Sequence, residues 1–324
     1  MTDTNKASVP ESLLVVVADD AGIDIARNRG IIDGIVQGVI GGVSVLADGA
    51  AIADFVARLG ALPDRLQPEI GLHLNLTEGT ALAGPSDGLT DASGKFIGGK
   101  RGFWERAIAG GVDADAVHAE VLAQIAQLES LGLAPVRIDG HQHVHVLPGV
   151  RDGLARALDE TPSIRWVRLG RPVVAAHERF ADFPRIPSSR VARPWARLCD
   201  DERHAQAALG TLHDECGALR ASGRRSADVF AGGDLLEDCT RESIAREIEA
   251  AVRLARTLAP DGGVIELMTH PGDCDVNSVE FSASPARKEE RDTLCGDGLR
   301  ELLGRLGARL GRFADAASRE TRPR

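Results

Sequence analysis

The feature that most constrains the fold of this chain is a regular alternation of short, wholly apolar segments with longer amphipathic segments. Residues 13–18 read LLVVVA, a continuous apolar run that is typical of a strand buried on both faces. Similar strand signals, separated by helical patterns, lie at residues 42–46, 69–76, 136–139, 164–169 and 263–269. Because helices separate successive strands, we expect a mostly parallel sheet. At least six such units favour an α/β fold, a TIM-like and distorted (β/α) barrel, over an open doubly wound sheet.

The alternation extends over most of the 324 residues and predicts one domain at residues 13–313. Barrel domains of about 250 residues or more are common. Residues 172–225 are expected to form an irregular insertion, because this stretch carries proline and many arginines but little apolar periodicity. Residues 1–12 are expected to form a flexible leader, and residues 314–324 a frayed tail.

Charge and composition exclude several classes of protein. The chain carries 38 Lys and Arg against 48 Asp and Glu, a net charge of −10, whereas nucleic-acid binders rely on clustered positive charge. It has no run of roughly 20 apolar residues and no secretory-type apolar segment near its first residue, so neither a membrane protein nor an exported precursor is expected. The five cysteines form no CxxC pair, which indicates reduced thiols and a cytoplasmic location.

Polar clusters follow four of the predicted strands, each at the carboxyl end. They are Asp19 with Asp20, His73 with Asn75, the run from Asp139 to His145, and the run from Thr269 to Gly272. In a parallel barrel these strand ends converge on one rim, where active sites are built. His141, His143 and His145 alternate, so in an extended strand all three would point the same way and could serve a metal.

Each cluster also has an ordinary structural interpretation. Asp19 and Asp20 could form a solvated turn that caps the next helix, and His73 could be a hydrogen-bonded core residue. The histidine run could be a solvent-facing strand, and His270 could be structural. The convergence of all four clusters favours a metal centre, in which one carboxylate and two imidazoles leave positions open for water and substrate. Such an ion would lower the pKa of a bound water and polarise a carbonyl, as amide hydrolysis requires.

Four motifs in this sequence resemble those of the YdjC-like carbohydrate deacetylases. They are ADDAG at residues 18–22, GLHLNLTEG at 71–79, DGHQHVHVLPG at 139–149 and ELMTHPG at 266–272. Residues 94–100 and 281–285 are also similar to family segments, and all six segments occur in family order over nearly the whole chain. The resemblance implies a (β/α) barrel, often dimeric, that removes an N-acetyl group from an amino sugar with the help of one divalent ion.

The resemblance also implies roles for individual residues. Asp20, His73 and His141 would be the metal ligands, with Asp19 as the general base that takes a proton from metal-bound water. His270 would protonate the leaving amine or polarise the acyl oxygen. The resemblance implies magnesium as the ion, although two imidazoles suit zinc, manganese or cobalt better on ligand chemistry.

Four more residues are expected to contact the substrate or to support the ligands. They are Asn75, His143, His145 and Arg168. The expected partners are a small sugar substrate and a second copy of the chain in a homodimer, with no nucleic acid and no membrane.

The sequence departs from the family pattern at two places. Family members carry Phe after the second aspartate, where this chain has Ala21, so the loss of an aromatic wall is expected to enlarge the pocket or to change the sugar it accepts. Residues 172–225 match the family poorly, which leaves the substrate open rather than the chemistry. Two alternative functions remain: a metal-dependent hydrolase of another amide, ester or phosphoester, and a metal- or sugar-binding protein without turnover.

Overall fold

The structure is a computed structural model that describes residues 10–173, 216–236, 238–275, 278 and 280–316. Within these ranges nine strands form a single sheet, and their ladders are all parallel. The strands are β1 (Ser12–Ala21), β2 (Ile40–Val45), β3 (Glu69–Leu74), β4 (Arg137–Gly140), β5 (Trp166–Val167), β6 (Arg171–Pro172), β7 (Val229–Ala231), β8 (Val264–Thr269) and β9 (Ala308–Leu310). Their order is β5-β4-β3-β2-β1-β8-β7-β6, with β9 beside the start of β1.

One short segment of chain links the two ends of the sheet. Residues 166–167 pair with β4, and residues 171–172 pair with β7 at the other end. Trp166 also bridges Arg225, which lies shortly before β7. The parallel sheet is curled into a half-barrel, and this confirms the predicted α/β class and the parallel pairing.

Within the described ranges, helices follow most of the strands and pack against the sheet, whereas β5 and β6 are joined by residues 168–170 alone. The helices are α1 (Ile25–Val36), α2 (Ile52–Gly60), α3 (Gly99–Ile108), α4 (Ala114–Ser130), α5 (Val150–Glu160), α6 (Gly217–Ala221), α7 (Arg241–Leu258), α8 (Glu280–Ala283), α9 (Pro285–Cys295) and α10 (Gly298–Leu306). Side-chain caps set the start of α1, where Asp24 accepts from the Arg27 N–H, and of α7, where Thr240 accepts from the Ser243 N–H. Across the described ranges, the helices lack the combination of length and apolar character needed to cross a membrane.

Strand β1 is apolar along most of its length because both of its faces are buried. Leu14 and Val16 belong to the main hydrophobic core between the sheet and the helices. Leu13 and Val15 point to the other face and join a smaller cluster that includes Phe313. Alternate side chains therefore enter two different cores, so no polar alternation appears in the sequence.

The structure describes only parts of the segments expected to lie outside the regular fold. β1 begins at Ser12, within the expected leader, whereas residues 1–9 lie outside the described residues. Ala316 is buried in a short 3-10 helix (Phe313–Ala316), so the beginning of the expected tail is packed against the smaller core, and residues 317–324 are outside the described part. Of the expected insertion, residues 174–215 are not described, while β6 and α6 flank them.

Candidate active site

The two adjacent aspartates at the end of β1 are both buried, at 1% and 2% exposure for Asp19 and Asp20. Strand alternation would send Asp20 to the helix side of the sheet, the side that Ala18 faces. Asp20 instead has a φ of 63°, in the left-handed region, and the β1–β2 register is irregular between Ala18 and Ala21. The irregularity lets both carboxylates contact polar partners at the mouth of the half-barrel.

Asp20, His73 and His141 come together as the sequence predicted. Oδ1 of Asp20 lies 3.1 Å from Nε2 of His73 and 2.9 Å from Nδ1 of His141. One ligand atom from each residue lies within 4.8 Å of the other two. Ligand atoms around a divalent ion with bonds of about 2.0–2.2 Å lie roughly 3 Å apart, so these spacings suit one shared cation.

The electrostatics of these three residues fit the same conclusion. Burial opposes ionisation of Asp20, but His141 and His73 outweigh burial and hold the pKa of this carboxyl well below its usual range. Burial also opposes protonation of His73, yet the neighbouring Asp19 and Asp139 raise its pKa to about 10. Asp20 likewise raises the pKa of His141 to about 9 against the effect of burial. Without a cation, protons on the imidazoles balance the buried negative charge, and a divalent ion can replace them.

A second carboxylate lies behind each histidine. Nδ1 of His73 is 2.6 Å from Oδ1 of Asp139, which leaves Nε2 directed at Asp20. Nε2 of His141 is 3.7 Å from Oε1 of Glu78, on the side of the ring away from Asp20. Carboxylates in this position hold the tautomer and the orientation of a ligating imidazole.

Arg168 is completely buried and binds the other aspartate of the pair. Its Nη1 and Nη2 lie 2.6 and 2.8 Å from the two carboxylate oxygens of Asp19. Nη2 is also 2.8 Å from Oδ2 of Asp139, and Nε is 2.7 Å from Oε1 of Glu266. Burial raises the pKa of Asp19, but Arg168 outweighs burial and lowers it, so Asp19 is ionised. These contacts place Arg168 in a supporting position for the carboxylates.

Sequence reasoning missed three members of this buried network. The Ser44 hydroxyl lies 2.9 Å from Oδ1 of Asp19 and 2.7 Å from Oδ2 of Asp139. Arg137 donates to Ser44 at 2.8 Å and to Glu266 at 3.0 Å. The available signal was a charged residue within an apolar strand, as at 137 and 266, because a buried charge requires a partner.

A second group of residues, Asp19, His73 and Asp139, also has metal-ligand spacing. Its carboxylates already contact the Arg168 guanidinium, and Arg137 also contacts Asp139. Those fixed cations neutralise this deeper group. The Asp20 cluster is therefore the better place for a metal ion.

His270 lies directly after β8 and joins the same centre. Its Nε2 is 3.9 Å from Oδ2 of Asp20, and the residue is 8% exposed. Burial lowers the pKa of His270 to about 3, so the ring is neutral at neutral pH. All four predicted clusters thus contribute a residue to one site.

The histidine run, which follows the strand predicted at residues 136–139, is not extended. β4 ends at Gly140, and His141–Val146 forms a 3-10 helix, with φ of 53° at Gln142 and 58° at His143. A Cβ on Gly140 would lie 2.8 Å from the His145 nitrogen, so the chain turns tightly over the strand end. The three imidazoles would point the same way only in an extended strand, and the backbone from His141 to Val146 does not meet that condition.

The other two histidines of the run have separate surroundings. His145 is fully buried, its Nε2 lies 2.9 Å from the carbonyl oxygen of Arg168, and burial lowers its pKa to about 4. A neutral ring donating to this carbonyl holds the backbone of Arg168 in place. His143 is half-buried and packs edge-on against Phe230, with ring centroids 5.7 Å apart.

Asn75 organises the loop that follows β3. Its Oδ1 accepts from the backbone N–H groups of Thr77 and Glu78. Its Nδ2 donates to Oδ2 of Asp48 at 2.8 Å and to the Glu78 carbonyl at 2.7 Å. Asn75 therefore fixes the loop that carries Glu78 beside His141.

Ala21 is fully buried in the main core and pairs with Val45 of β2. Position 21 is thus a core position in this chain, and the expected effect on the pocket or on the sugar it accepts stays a prediction. The Ala21 side chain packs within the main hydrophobic core at the end of β1.

The fold and the site define an α/β half-barrel protein with a carboxylate–imidazole centre at the ends of its strands. Within that class, residues 13–305 match the family model described as YdjC-like protein, and the chain belongs to this family. The resemblance found in the motifs is confirmed.

Named relatives cover almost the whole chain. A carbohydrate deacetylase of Homo sapiens is 35% identical over 96% of this chain and 93% of its own length. A chitooligosaccharide deacetylase of Yersinia pestis (strain Pestoides F) is 29% identical over 94% of this chain and 99% of its own. A crystal structure from Enterococcus faecalis V583, described as a proposed cellobiose-phosphate cleavage protein, superposes with a TM-score of 0.62 at 21% identity, over 94% of this chain and 99% of that one. This last similarity supports the fold alone.

Proposed function

We propose that this protein is a metal-dependent hydrolase that removes the N-acetyl group from an N-acetylated amino sugar or oligosaccharide. The observation that carries the proposal is the meeting of Asp20, His73 and His141 around one point, with Asp19 and His270 beside them. Relatives that are named carbohydrate deacetylases and align over nearly the whole chain support the substrate class.

Asp20, His73 and His141 would hold one divalent ion. When bound, such an ion polarises the acetamide carbonyl and lowers the pKa of a water molecule. The mixture of one carboxylate and two imidazoles suits zinc, manganese or cobalt, while the family resemblance favours magnesium.

Asp19 and His270 would carry the proton transfers. Asp19 is ionised and its orientation is set by the Arg168 guanidinium, so it can accept a proton from the attacking water. His270 enters the reaction as a neutral ring and would donate its N–H in a hydrogen bond to the acyl oxygen. Alternatively, it would first take up the proton that Asp19 removes from the water and then deliver that proton to the departing amine. The C–N bond breaks, and acetate and a free amino sugar are formed.

The test is acetate release from N-acetylglucosamine, its β-linked oligomers and other acetamido sugars. Metal-free protein is refilled with each divalent ion in turn. We expect the protein to release acetate from at least one of these sugars, and only when a suitable ion has been restored. Tight metal binding without acetate release over the whole panel would contradict turnover and support a binding protein, and phosphate release would support a different hydrolase.

We further propose a small-molecule partner, a cytoplasmic location, a closed TIM-like barrel and a homodimer. The net charge of −10 supports a small-molecule partner rather than a nucleic acid, and the reduced-thiol pattern supports a cytoplasmic location. The pairing of residues 166–172 with both ends of the sheet supports closure into a TIM-like barrel. We retain the homodimer as part of the proposal, on the family resemblance alone.

A further inference from the structure

We propose that Glu290, Arg27 and Phe281 form a clamp that positions His270 for the reaction. These three residues are called the His270 clamp below. They come from three helices, α9, α1 and α8, and none of them belongs to the metal cluster. The inference rests on the proposed function, because it assumes that the His270 ring acts on the substrate.

The clamp binds the backbone of His270 on both sides of the residue. The His270 N–H donates to Oε2 of Glu290 at 3.0 Å, and the His270 carbonyl accepts from Nη1 of Arg27. Both charged residues are completely buried, at 0% exposure. Burial raises the pKa of Glu290 to about 7, and its Oε2 can accept from the His270 N–H whether or not the carboxyl is protonated, while the Arg27 hydrogen bond is charge-assisted. The two peptide groups around His270 therefore have little freedom to rotate.

The clamp also contacts the imidazole ring. The rings of His270 and Phe281 meet nearly at right angles, with centroids 5.1 Å apart. The guanidinium groups of Arg27 and Arg287 lie 5.3 and 4.5 Å from the centroid of the Phe281 ring. Two cation–π contacts thus hold the surface against which the His270 ring rests.

Arg287 ties the clamp to the loop after His270. Its Nη1 lies 3.2 Å from Oε2 of Glu290, and its carbonyl accepts from the Gly272 N–H at 3.1 Å. Buried ion pairs contribute little net stability because both charges lose their water. Two members of this buried cluster, Glu290 and Arg27, bind the backbone of the same histidine, and this arrangement is better explained by positioning than by stabilisation.

The first experiment compares Glu290→Leu with Glu290→Gln. Leucine removes the acceptor for the His270 N–H, and we expect kcat to fall by about 10- to 100-fold with KM and metal affinity little changed. Glutamine keeps an acceptor oxygen, so kcat should stay within about threefold of the wild type. Equal loss of kcat in both variants, or a loss of metal affinity that accounts for the effect, would overturn the proposal.

Glu69→Leu is the matched control. Glu69 is also a carboxylate that accepts backbone N–H groups, from Phe313 and Ala314, but it lies at the first residue of β3, away from the strand ends that form the site. We expect this variant to lose stability while kcat is unchanged. A fall in kcat equal to that of Glu290→Leu would show that the effect is a general one of carboxylates that accept backbone N–H groups, and would overturn the clamp.

A double-mutant cycle with His270→Ala separates positioning from structure. If Glu290 acts through His270, Glu290→Leu should not lower kcat further in the His270→Ala background. A further drop of the same size as in the wild type would overturn the clamp. Wild-type turnover of His270→Ala would instead contradict the role of His270 in the proposed function.

A spectroscopic measurement tests the clamp independently of turnover. The ¹⁵N ring signals of His270 can be assigned as those absent from the His270→Ala spectrum. We expect them to shift or broaden in Glu290→Leu and to remain in place in Glu69→Leu. Unchanged His270 signals in Glu290→Leu would overturn the clamp whatever the kinetics show.

Discussion

Two neighbouring aspartates in this chain are held ionised by different partners. Asp19 is bound through both oxygens by a guanidinium that cannot lose its proton, whereas Asp20 faces imidazoles that can. Only the second arrangement can exchange protons for a metal ion. The difference between permanent and removable positive charge therefore gives the two carboxylates separate chemistry.

Substitutions at these positions should separate metal binding from turnover. His141→Ala is expected to lose metal and activity together because it removes a ligand. Asp19→Asn is expected to keep the metal and to lose turnover by about 10²- to 10⁴-fold, because it removes the proton acceptor. Calorimetric metal titration and acetate release measure the two effects, and wild-type turnover of Asp19→Asn would refute its assignment as the base.

Metal affinity should rise with pH. The pKa values of His73 and His141 are raised to about 10 and about 9 in the metal-free protein, so both rings carry an extra proton at pH 7. A metal ion must displace one proton from each, and affinity should increase about 100-fold per pH unit below pH 9. Calorimetry in buffers of different ionisation enthalpy should report release of about two protons at pH 7. A pH-independent affinity would contradict this ligand set.

At the level of elements, helix α1 packs closely against the loop that follows β8 and begins at His270. A Cβ on Gly30 would lie 2.5 Å from both the Cα and the nitrogen of Gly272. The Asp273 N–H donates to the Ala26 carbonyl at 3.1 Å, on the same helix. Helix α1 can therefore serve as a rigid support for the loop that begins at His270.

Alanine at two helical glycines should have opposite effects. Gly30→Ala would push helix α1 away from the backbone at Gly272 and should lower the free energy of unfolding by about 1–3 kcal/mol. Gly304→Ala in α10 meets nothing within 4 Å and should raise it by up to about 1 kcal/mol. Urea unfolding midpoints measure both, and stabilisation by Gly30→Ala would show that the contact with the loop is not tight.

At the scale of the whole molecule, one arginine connects strands that are distant along the chain. Arg168 lies between β5 and β6, in the segment that pairs with both ends of the sheet. It binds Asp19, which follows six apolar residues of β1, and also Asp139 in β4 and Glu266 in β8. The sheet thus surrounds a buried network of charged side chains, formed by Arg168 and its three carboxylate partners, in addition to the smaller apolar cluster that contains Leu13 and Val15.

Removal of this arginine should be strongly destabilising. Arg168→Met leaves several carboxylates buried without their main cation, and the free energy of unfolding should fall by about 3–5 kcal/mol. Arg156→Met breaks an exposed ion pair with Asp115 and should leave the urea midpoint nearly unchanged. Similar midpoints for the two variants would mean that the buried network does not contribute to stability.

Much of the fold and part of the site were predictable because their signals are local. An apolar run such as residues 13–18 identifies a buried strand without knowledge of its neighbours. Polar residues at the ends of parallel strands share one rim whatever the strand order, so the four clusters could be grouped from the sequence, and the family resemblance then selected Asp20, His73 and His141 among them. The left-handed turn at residues 142–143 could not, because the alternating histidines match a strand pattern equally well.

The sequence by itself determined six of the nine described strands, the parallel arrangement and the residue types at the mouth of the half-barrel; the short strands β6, β7 and β9 carry too few residues for a pattern to identify. The tertiary structure alone decided which charged groups meet. Ser44 of β2 meets Asp19 of β1 and Asp139 of β4, and Glu266 of β8 meets Arg137 of β4, only because the sheet brings these strands together. Electrostatic energy depends on distance in space and on the loss of water, and neither quantity can be read along the chain.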